Sequence, residues 1–525
     1  MSDYPTKEFA SELVIGFVGA VGTELDPVVA LFRERFQRAG YQSHLIKISK
    51  EIIPELEVLP ETGANHYLRI SELMKAGNRA RENATAKVIE EKLVEDRPDL
   101  KEEAARLGNS ILATGAAARI FEYRPNSVDS VEERNLPKTV FLIDSLKRPE
   151  EVEQLRLTYS AGFILIGVHA EKECRERHLV NDLGMTKKDA DDLLERDGEE
   201  SKLPHGQRLN KTFHLADFFV SATASHDRLR GDIQRVVEVL FGNPFVTPTF
   251  DEYAMFLAYA AALRSADLSR QVGAVMTRER EVLSTGANDC PRSGGGLYWQ
   301  ERGPGPEPYF DEPQGRDYTR KEDSNRVKQL EMIQLIMMDI EDDKDLKEHS
   351  EKIKKLLDSS RIKDLTEFGR VVHAEMEALL ACGRNGIPTR DATLFCTVFP
   401  CHNCAKHLVA AGVKRVVYVE PYPKSKALEF HTDSIVTTPT EDEIGRNRVR
   451  FEPFVGIGAR RFFDLFSMQL SSGYDVSRKN STTGESLTWA IESARLRLQM
   501  NPQSYLVLEA QCRDQFSRIQ GGDEE

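Results

Sequence analysis

Cysteine is scarce in this chain. Seven in 525 residues is an odd, sparse set that makes no disulfide framework, and it points to a reducing, cytoplasmic setting. Long apolar runs are missing too. The longest, around Leu13–Val21 and Gly162–Val168, are far too short to cross a bilayer, so no membrane partner is expected. Met1-Ser2-Asp3-Tyr4-Pro5 offers neither the basic stretch nor the apolar stretch of a secretory signal. Positive charge is in deficit: 71 Lys and Arg against 85 Asp and Glu leave a net charge of −14. Polynucleotide binding relies on Lys and Arg to neutralise phosphates, so no polynucleotide partner is expected and a small soluble substrate is favoured. No internal repeat is visible.

What is present is ordinary for a globular protein: 40% hydrophobic and 30% charged residues, in a length that predicts two or three domains. Strand-like runs at Leu13–Val18, Ser43–Ile48, Thr139–Asp144 and Phe163–Val168 alternate with helical patterns such as Pro27–Arg38 and Tyr67–Leu93. That alternation predicts a parallel α/β domain over 1–242. Pro244 and Thr247-Pro248-Thr249 read as a linker. A second α/β domain is expected over 251–470, with an insertion at about 303–363 and a C-terminal extension over 471–525. Within it a helix is read over Ala254–Ala266 and a strand pair at Gln271–Met276 and Val282–Gly286. Then come a helix from Val371, a strand at Thr393–Val398, a helix from Cys401 and a strand at Arg415–Val419.

The sharpest pattern is His373-Ala374-Glu375 followed by Pro400-Cys401-His402-Asn403-Cys404. At this composition P-C-x-x-C arises by chance ~0.004 times per chain, so the cysteine half carries the specificity. Zinc takes thiolate and imidazole ligands, and a catalytic zinc keeps a position open for water whose pKa it lowers. His373, Cys401 and Cys404 supply three such ligands, and Glu375 supplies a proton carrier. Residues i and i+2 do not share a helix face, so His373 and Glu375 converge only if His373 lies at the first turn. A structural zinc site needs a fourth protein ligand, with His402 and His407 as candidates. Glu377 is expected to face solvent.

His-x-Glu with Pro-Cys-x-x-Cys is the zinc-deaminase signature. Together with Ala262–Val275 and Gly286-Ala287-Asn288-Asp289-Cys290-Pro291, it resembles the cytidine/deoxycytidylate deaminase superfamily in its deoxycytidylate-like branch. The full layout, with Gly294-Gly295-Gly296-Leu297-Tyr298-Trp299 before the insertion, resembles the anti-phage dCTP deaminases of bacterial defence. The resemblance implies a three-layer α/β/α deaminase domain, Zn2+ as cofactor, and conversion of dCTP to dUTP. It also implies a homo-oligomer. Asn288 would contact the sugar or base; a turn Asn without that role is the alternative.

In the first half, Gly16-Phe17-Val18-Gly19-Ala20-Val21-Gly22-Thr23 follows a strand and precedes a helix, the context of a phosphate loop. The phosphate-binding Lys is missing in either register, and Glu24 and Asp26 are poor company for a triphosphate. This half resembles P-loop nucleotide kinases. The expectation is a degenerate P-loop domain used for regulation, with Gly16, Gly19 and Gly22 as its nucleotide loop. Asp144 would order magnesium or cap the next turn. Arg175, Arg177 and Arg196 would be lid arginines or a solvated helix surface. For the substrate's phosphates the candidates are Arg264, Ser269, Arg270, Lys424, Lys426 and Arg460-Arg461. These do not separate dCTP from dCMP.

Overall fold

The computed structural model describes residues 11–91, 98–125, 134–199, 204–303, 305, 309–365, 367–422, 424–437 and 448–521. Met1–Pro5 and Leu93 lie outside them. The chain divides into two compact units, Met1–Glu252 with Phe454–Glu525, and Tyr253–Pro453.

The first unit is built on five parallel strands: β1 (Leu13–Gly19), β2 (Gln42–Lys47), β3 (Thr139–Asp144), β4 (Phe163–His169) and β5 (Phe218–Ser221), side by side as β5-β4-β1-β3-β2. All seven residues of β1 are buried. That explains why its sequence is continuously apolar rather than alternating, as in parallel sheets covered on both faces. The helix Asp26–Arg38 starts with Pro27 in its first turn and buries Phe32 and Phe36 in the same core as Ile15 and Phe17. The helix His226–Leu240 is capped by Ser225, whose hydroxyl accepts from the Arg228 amide.

The second unit holds a mixed sheet. Its strands are β6 (Gly273–Arg278) and β7 (Glu281–Ala287), the short hairpin β8 (Glu301–Arg302) and β9 (Tyr309–Phe310), then β10 (Thr393–Val398), β11 (Arg415–Glu420), β12 (Ile435–Val436) and β13 (Val449–Pro453). The sheet order is β12-β13-β11-β10-β6-β7, antiparallel at β7/β6/β10 and parallel from β10 to β12. Two glycines set how closely helices approach it. A Cβ on Gly273 would lie 1.9 Å from the Ala258 carbonyl oxygen in the helix Phe250–Ala262, and one on Gly286 would lie 2.1 Å from the Ala374 oxygen in the helix Ala374–Arg384. Gly286 pairs with Ala274, the neighbour of Gly273. Successive strand residues face opposite sides, so the two helices cover opposite faces and make three α/β/α layers. The inserted segment contributes the helices Ser324–Asp342 and Ser350–Ser359.

The chain then returns to the first unit. β14 (Gly456–Ile457) pairs antiparallel with β5, matching Gly456 to Phe219 and Ile457 to Phe218. The helix Pro502–Gln520 supplies Glu509 and Tyr505 to a buried charge cluster. Arg124 donates to Glu12 at 2.9 Å and to both oxygens of Glu509, Tyr159 donates to Glu509 at 2.7 Å, and Tyr505 donates to Glu12 at 2.8 Å. The domain boundary expected at 470 therefore falls earlier: residues 454–470 belong with the first unit, because a strand too short to read from sequence completes that unit's sheet edge. The segment 471–525 is part of the same unit rather than a separate extension.

Candidate metal centre

Both cysteines and the histidine stand at helix starts. β10 ends at Val398, and after Phe399-Pro400 the chain enters the helix His402–Ala410 with Cys401 as its N-cap, in extended backbone (φ −65°, ψ 162°). The Cys401 sulfur accepts from the Cys404 amide at 3.4 Å, satisfying one free N–H of the first turn. His373 is likewise the N-cap of the helix Ala374–Arg384, at φ −66° and ψ 150°. The helix expected from Val371 begins three residues later, because Val372 forms a β-bridge with Asp289 instead, at 3.0 and 3.3 Å. That short pairing puts His373 at the helix start, as its convergence with Glu375 requires.

The His373 Nδ1 atom lies 3.5 Å from the Cys401 sulfur and 3.4 Å from the Cys404 sulfur. Ligand nitrogen and sulfur on one tetrahedral zinc stand roughly 3.5 Å apart, so the three donors fit that ion. Among the described residues, no fourth His, Cys, Asp or Glu brings a ligand atom into the group. His407 Nδ1 is 2.6 Å from the Asn403 carbonyl, and the His402 ring packs edge-on against Phe430. Glu375, 4% exposed, is close enough for its charge to act on His373, Cys401 and Cys404 without joining them. Burial pushes its carboxyl pKa up, against the opposing pull of His373. The Cys401 thiol is brought down to about 4, first by its hydrogen bond with Cys404 and then, against burial, by His373; His373 is raised to about 9, chiefly by its hydrogen bond with Cys401. The Cys404 thiol is held well above its ordinary value by Cys401 and by burial.

The other expected substrate contacts are spread differently. Asn288 is buried, and both ends of its amide serve the backbone: Oδ1 accepts from Val272 N at 2.6 Å and Nδ2 donates to Arg270 O at 2.8 Å. It braces the turn before β6. Arg264 donates to the Tyr298 carbonyl at 3.0 Å, and its guanidinium lies 3.6 Å from the centre of the Trp299 ring, so it anchors the segment that precedes the insertion. Ser269 is exposed in a turn held by Asp267, and Lys424 is exposed. Arg270 lies near enough to the cluster for its charge to act on His373, and it pairs with Glu420 at 3.3 Å. Arg460 and Arg461 belong to the first unit, where Arg461 pairs with Asp217 at 3.3 Å.

Glu377 does not face solvent. It is 6% exposed and held by Arg384 at 2.5 Å. Arg316 was not singled out from the sequence. It is buried, donates to the Tyr298 carbonyl at 2.6 Å and stands 3.4 Å from Asp289. The partners of Arg316 lie in other segments, whereas Glu377 is paired within its own helix by Arg384, seven residues further on.

The glycine loop of the first unit is occupied by the protein itself. Gly16 lies inside β1, where a Cβ would come within 2.5 Å of Leu146, so its role is packing. Gly22 has φ +83° and would meet Arg175 at 3.0 Å. Between them the Val21 amide donates to Asp197 Oδ2 at 3.0 Å, Lys147 donates to the Gly19 carbonyl at 2.6 Å, and Arg175 donates to the Val21 carbonyl at 3.0 Å. A carboxylate thus takes an amide that a phosphate cradle would offer. Asp144 faces Lys47 at 3.8 Å, and burial raises its pKa. Arg196 donates to Ser71 at 3.0 Å, and Arg177 is exposed.

Residues 248–420 match the cytidine and deoxycytidylate deaminase zinc-binding region, so zinc is the metal this segment is made for. The ComE operon protein 2 of Bacillus subtilis (strain 168) is 45% identical over 53 residues, 10% of this chain and 28% of that protein. The deoxycytidylate deaminase of Mycobacterium phage D29 is 27% identical over 177 residues, 33% of this chain and 94% of that one. The deoxycytidylate deaminase of Saccharomyces cerevisiae (strain ATCC 204508 / S288c) is 28% identical over 231 residues, 42% of this chain and 55% of that one. The chain thus spans under a third of the Bacillus relative's length and about half of the yeast one's. Among solved structures, the apo dCMP deaminase of cyanophage S-TIM5 aligns with 40% of this chain and all of its own, at 18% identity and a TM-score of 0.22, too low to build on.

Proposed function

We propose that the second unit hydrolytically deaminates a deoxycytidine nucleotide, with dCTP as the preferred substrate and dUTP and ammonia as products. The observation that carries this reading is the three-donor cluster without a fourth protein ligand, with the buried carboxyl of Glu375 beside it. His373, Cys401 and Cys404 are the zinc ligands in this proposal. Zinc, when bound, supplies the Lewis acidity that makes water nucleophilic near neutral pH. Glu375 would take one proton from water as its oxygen bonds to the amine-bearing ring carbon and pass it to the ring nitrogen, then take the second from the resulting hydroxyl and pass it to the amine, which leaves as ammonia as the carbon–nitrogen bond breaks and the carbonyl forms. Its raised pKa suits a group that must both take and give a proton. The β-bridge between Asp289 and Val372 holds His373 at the helix start, and Arg270, whose charge acts on His373, is a proposed cationic partner for the phosphates.

The preference for dCTP rests on a resemblance of layout to anti-phage dCTP deaminases: a glycine-loop first half, Gly294–Trp299, and an insertion before the helix that begins at Ala374. On that reading the protein drains dCTP in the cytoplasm of an infected cell, acts as a homo-oligomer, and uses its first unit for regulation. The second reading is a dCMP deaminase, favoured by the names of the phage and yeast relatives.

The test offers dCTP, dCMP, CTP and deoxycytidine to purified zinc-loaded protein and separates the products by chromatography. Conversion of dCTP to dUTP is expected. Turnover of dCMP alone overturns the dCTP assignment, and no turnover of any deoxycytidine nucleotide at full zinc content overturns the deaminase reading. Glu375→Gln should retain zinc and slow turnover by about 10²–10⁴-fold, the usual contribution of a positioned acid–base group.

A further inference from the structure

A metal-binding imidazole is commonly oriented by a hydrogen bond from its second ring nitrogen to a carboxylate or a carbonyl. Among the described residues, the His373 ring hydrogen-bonds nothing but the two cysteine sulfurs. Its placement therefore comes from its backbone. Val372, just before it, is bridged to Asp289, and Ala374, just after it, opens a helix.

Two consecutive residues of the inserted segment grip the two chains of that bridge. Arg316 serves the Asp289 side. Its Nε lies 3.4 Å from Asp289 Oδ2 and its Nη1 3.3 Å from Asp311 Oδ2, while Nη2 donates to the Tyr298 carbonyl at 2.6 Å. Asp317 serves the Val372 side. Its Oδ1 accepts at 2.8 Å from Nη1 of Arg370, which stands two residues before Val372. Arg370 Nη2 donates to the Gly315 carbonyl at 2.9 Å, a second bond to the same stretch. The Cys290 thiol, next to Asp289, also donates to Asp317 Oδ1, at 3.5 Å, so this carboxylate touches both chains. Asp289, Arg316 and Asp317 are all buried. Arg316 is the one base within ion-pair distance of Asp289 among the described residues, so its loss would strand a buried carboxylate beside the bridge.

We propose that Arg316 and Asp317 are positioning residues of the metal centre: they lock the Asp289–Val372 bridge and, through it, the place of His373 and the start of the helix that carries Glu375. The inserted segment is then part of the support of the site, and a disturbance of its 311–317 stretch reaches the metal. The inference rests on His373 being a zinc ligand, as proposed above.

The test measures the zinc affinity of the full chain by competition with a chelator, and its stability by denaturant unfolding. Arg316→Met and Asp317→Asn should each weaken zinc binding at least about tenfold, the lower end of the effect of groups that orient a ligand. Arg316→Lys should recover part of that loss. Ile333→Ala is the control: it removes a buried side chain from the helix Ser324–Asp342 of the same insertion, and should lower stability with zinc affinity unchanged. Co2+ in place of zinc gives a second readout, its ligand-field bands shifting in Arg316→Met and Asp317→Asn but not in Ile333→Ala. Since Arg316 acts through Asp289, the losses of Arg316→Met and Asp289→Asn should not add in the double variant. The proposal is overturned if either Arg316→Met or Asp317→Asn binds zinc as tightly as the wild type, if Ile333→Ala weakens binding as much as they do, or if the two losses add. Zinc binding that is unchanged in His373→Ala overturns the ligand assignment itself, and this proposal with it.

Discussion

In the first unit β1 runs through Gly19–Gly22 into the helix Asp26–Arg38. In the second, β10 runs through Phe399-Pro400 into the helix His402–Ala410. Both are strand-to-helix turns with free amides at the helix start, and their chemistry diverges through what meets those amides. In the first, side chains from elsewhere in the same unit (Asp197, Lys147 and Arg175) satisfy the loop's amide and carbonyls. In the second, the Cys401 sulfur caps its own helix while still facing His373 and Cys404, so the capping atom stays within the three-donor group. A glycine turn is thus no measure of ligand binding; the groups left unspent around it are.

The most severe way to break this contrast is Cys401→Ser. It keeps a capping oxygen at the helix start but removes the thiolate proposed as a zinc ligand, and should abolish bound zinc and deamination, measured by metal content and ammonia release. Gly286→Ala tests the support behind the site rather than the site itself. The new methyl would press on Ala374 O at 2.1 Å and Ala378 N at 2.5 Å, displacing the helix that begins at His373. A loss of about 3 kcal/mol in denaturant unfolding is expected, near the upper range for overpacking, with weaker zinc retention. Asp197→Ala sharpens the other side. The Val21 amide would lose its acceptor, costing about 1 kcal/mol of stability, while zinc content stays that of the wild type.

The chemistry was the most legible part of the sequence. A Pro-Cys-x-x-Cys spacing survives any ambiguity in element boundaries, and a buried parallel strand such as Thr139–Asp144 announces itself as an unbroken apolar run. β5 was not visible: Phe218-Phe219-Val220 is too short a run to separate from a turn, and β14 is shorter still. Charges misled more than apolar residues did. Glu377 follows the helix surface pattern yet is buried, because Arg384 folds back onto it. Asn288, expected to contact substrate or to serve a turn, bonds the backbone of Arg270 and Val272 with one hydrogen bond from each end of its amide. The first pairing depends on a side-chain conformation within one helix and the second on segments 16 and 18 positions away, and a linear pattern records neither.

The return of the chain to its first unit has a consequence for synthesis. Arg124 leaves the ribosome 385 positions ahead of Glu509, one of the two carboxylates that enclose it. Until translation passes that point, the emerging half carries a guanidinium in an unfinished pocket and an open sheet edge, while the second unit is already complete. A nascent chain arrested anywhere between the two units' last residues would therefore combine a finished second unit with an incomplete first one, the kind of species that aggregates or is held by chaperones.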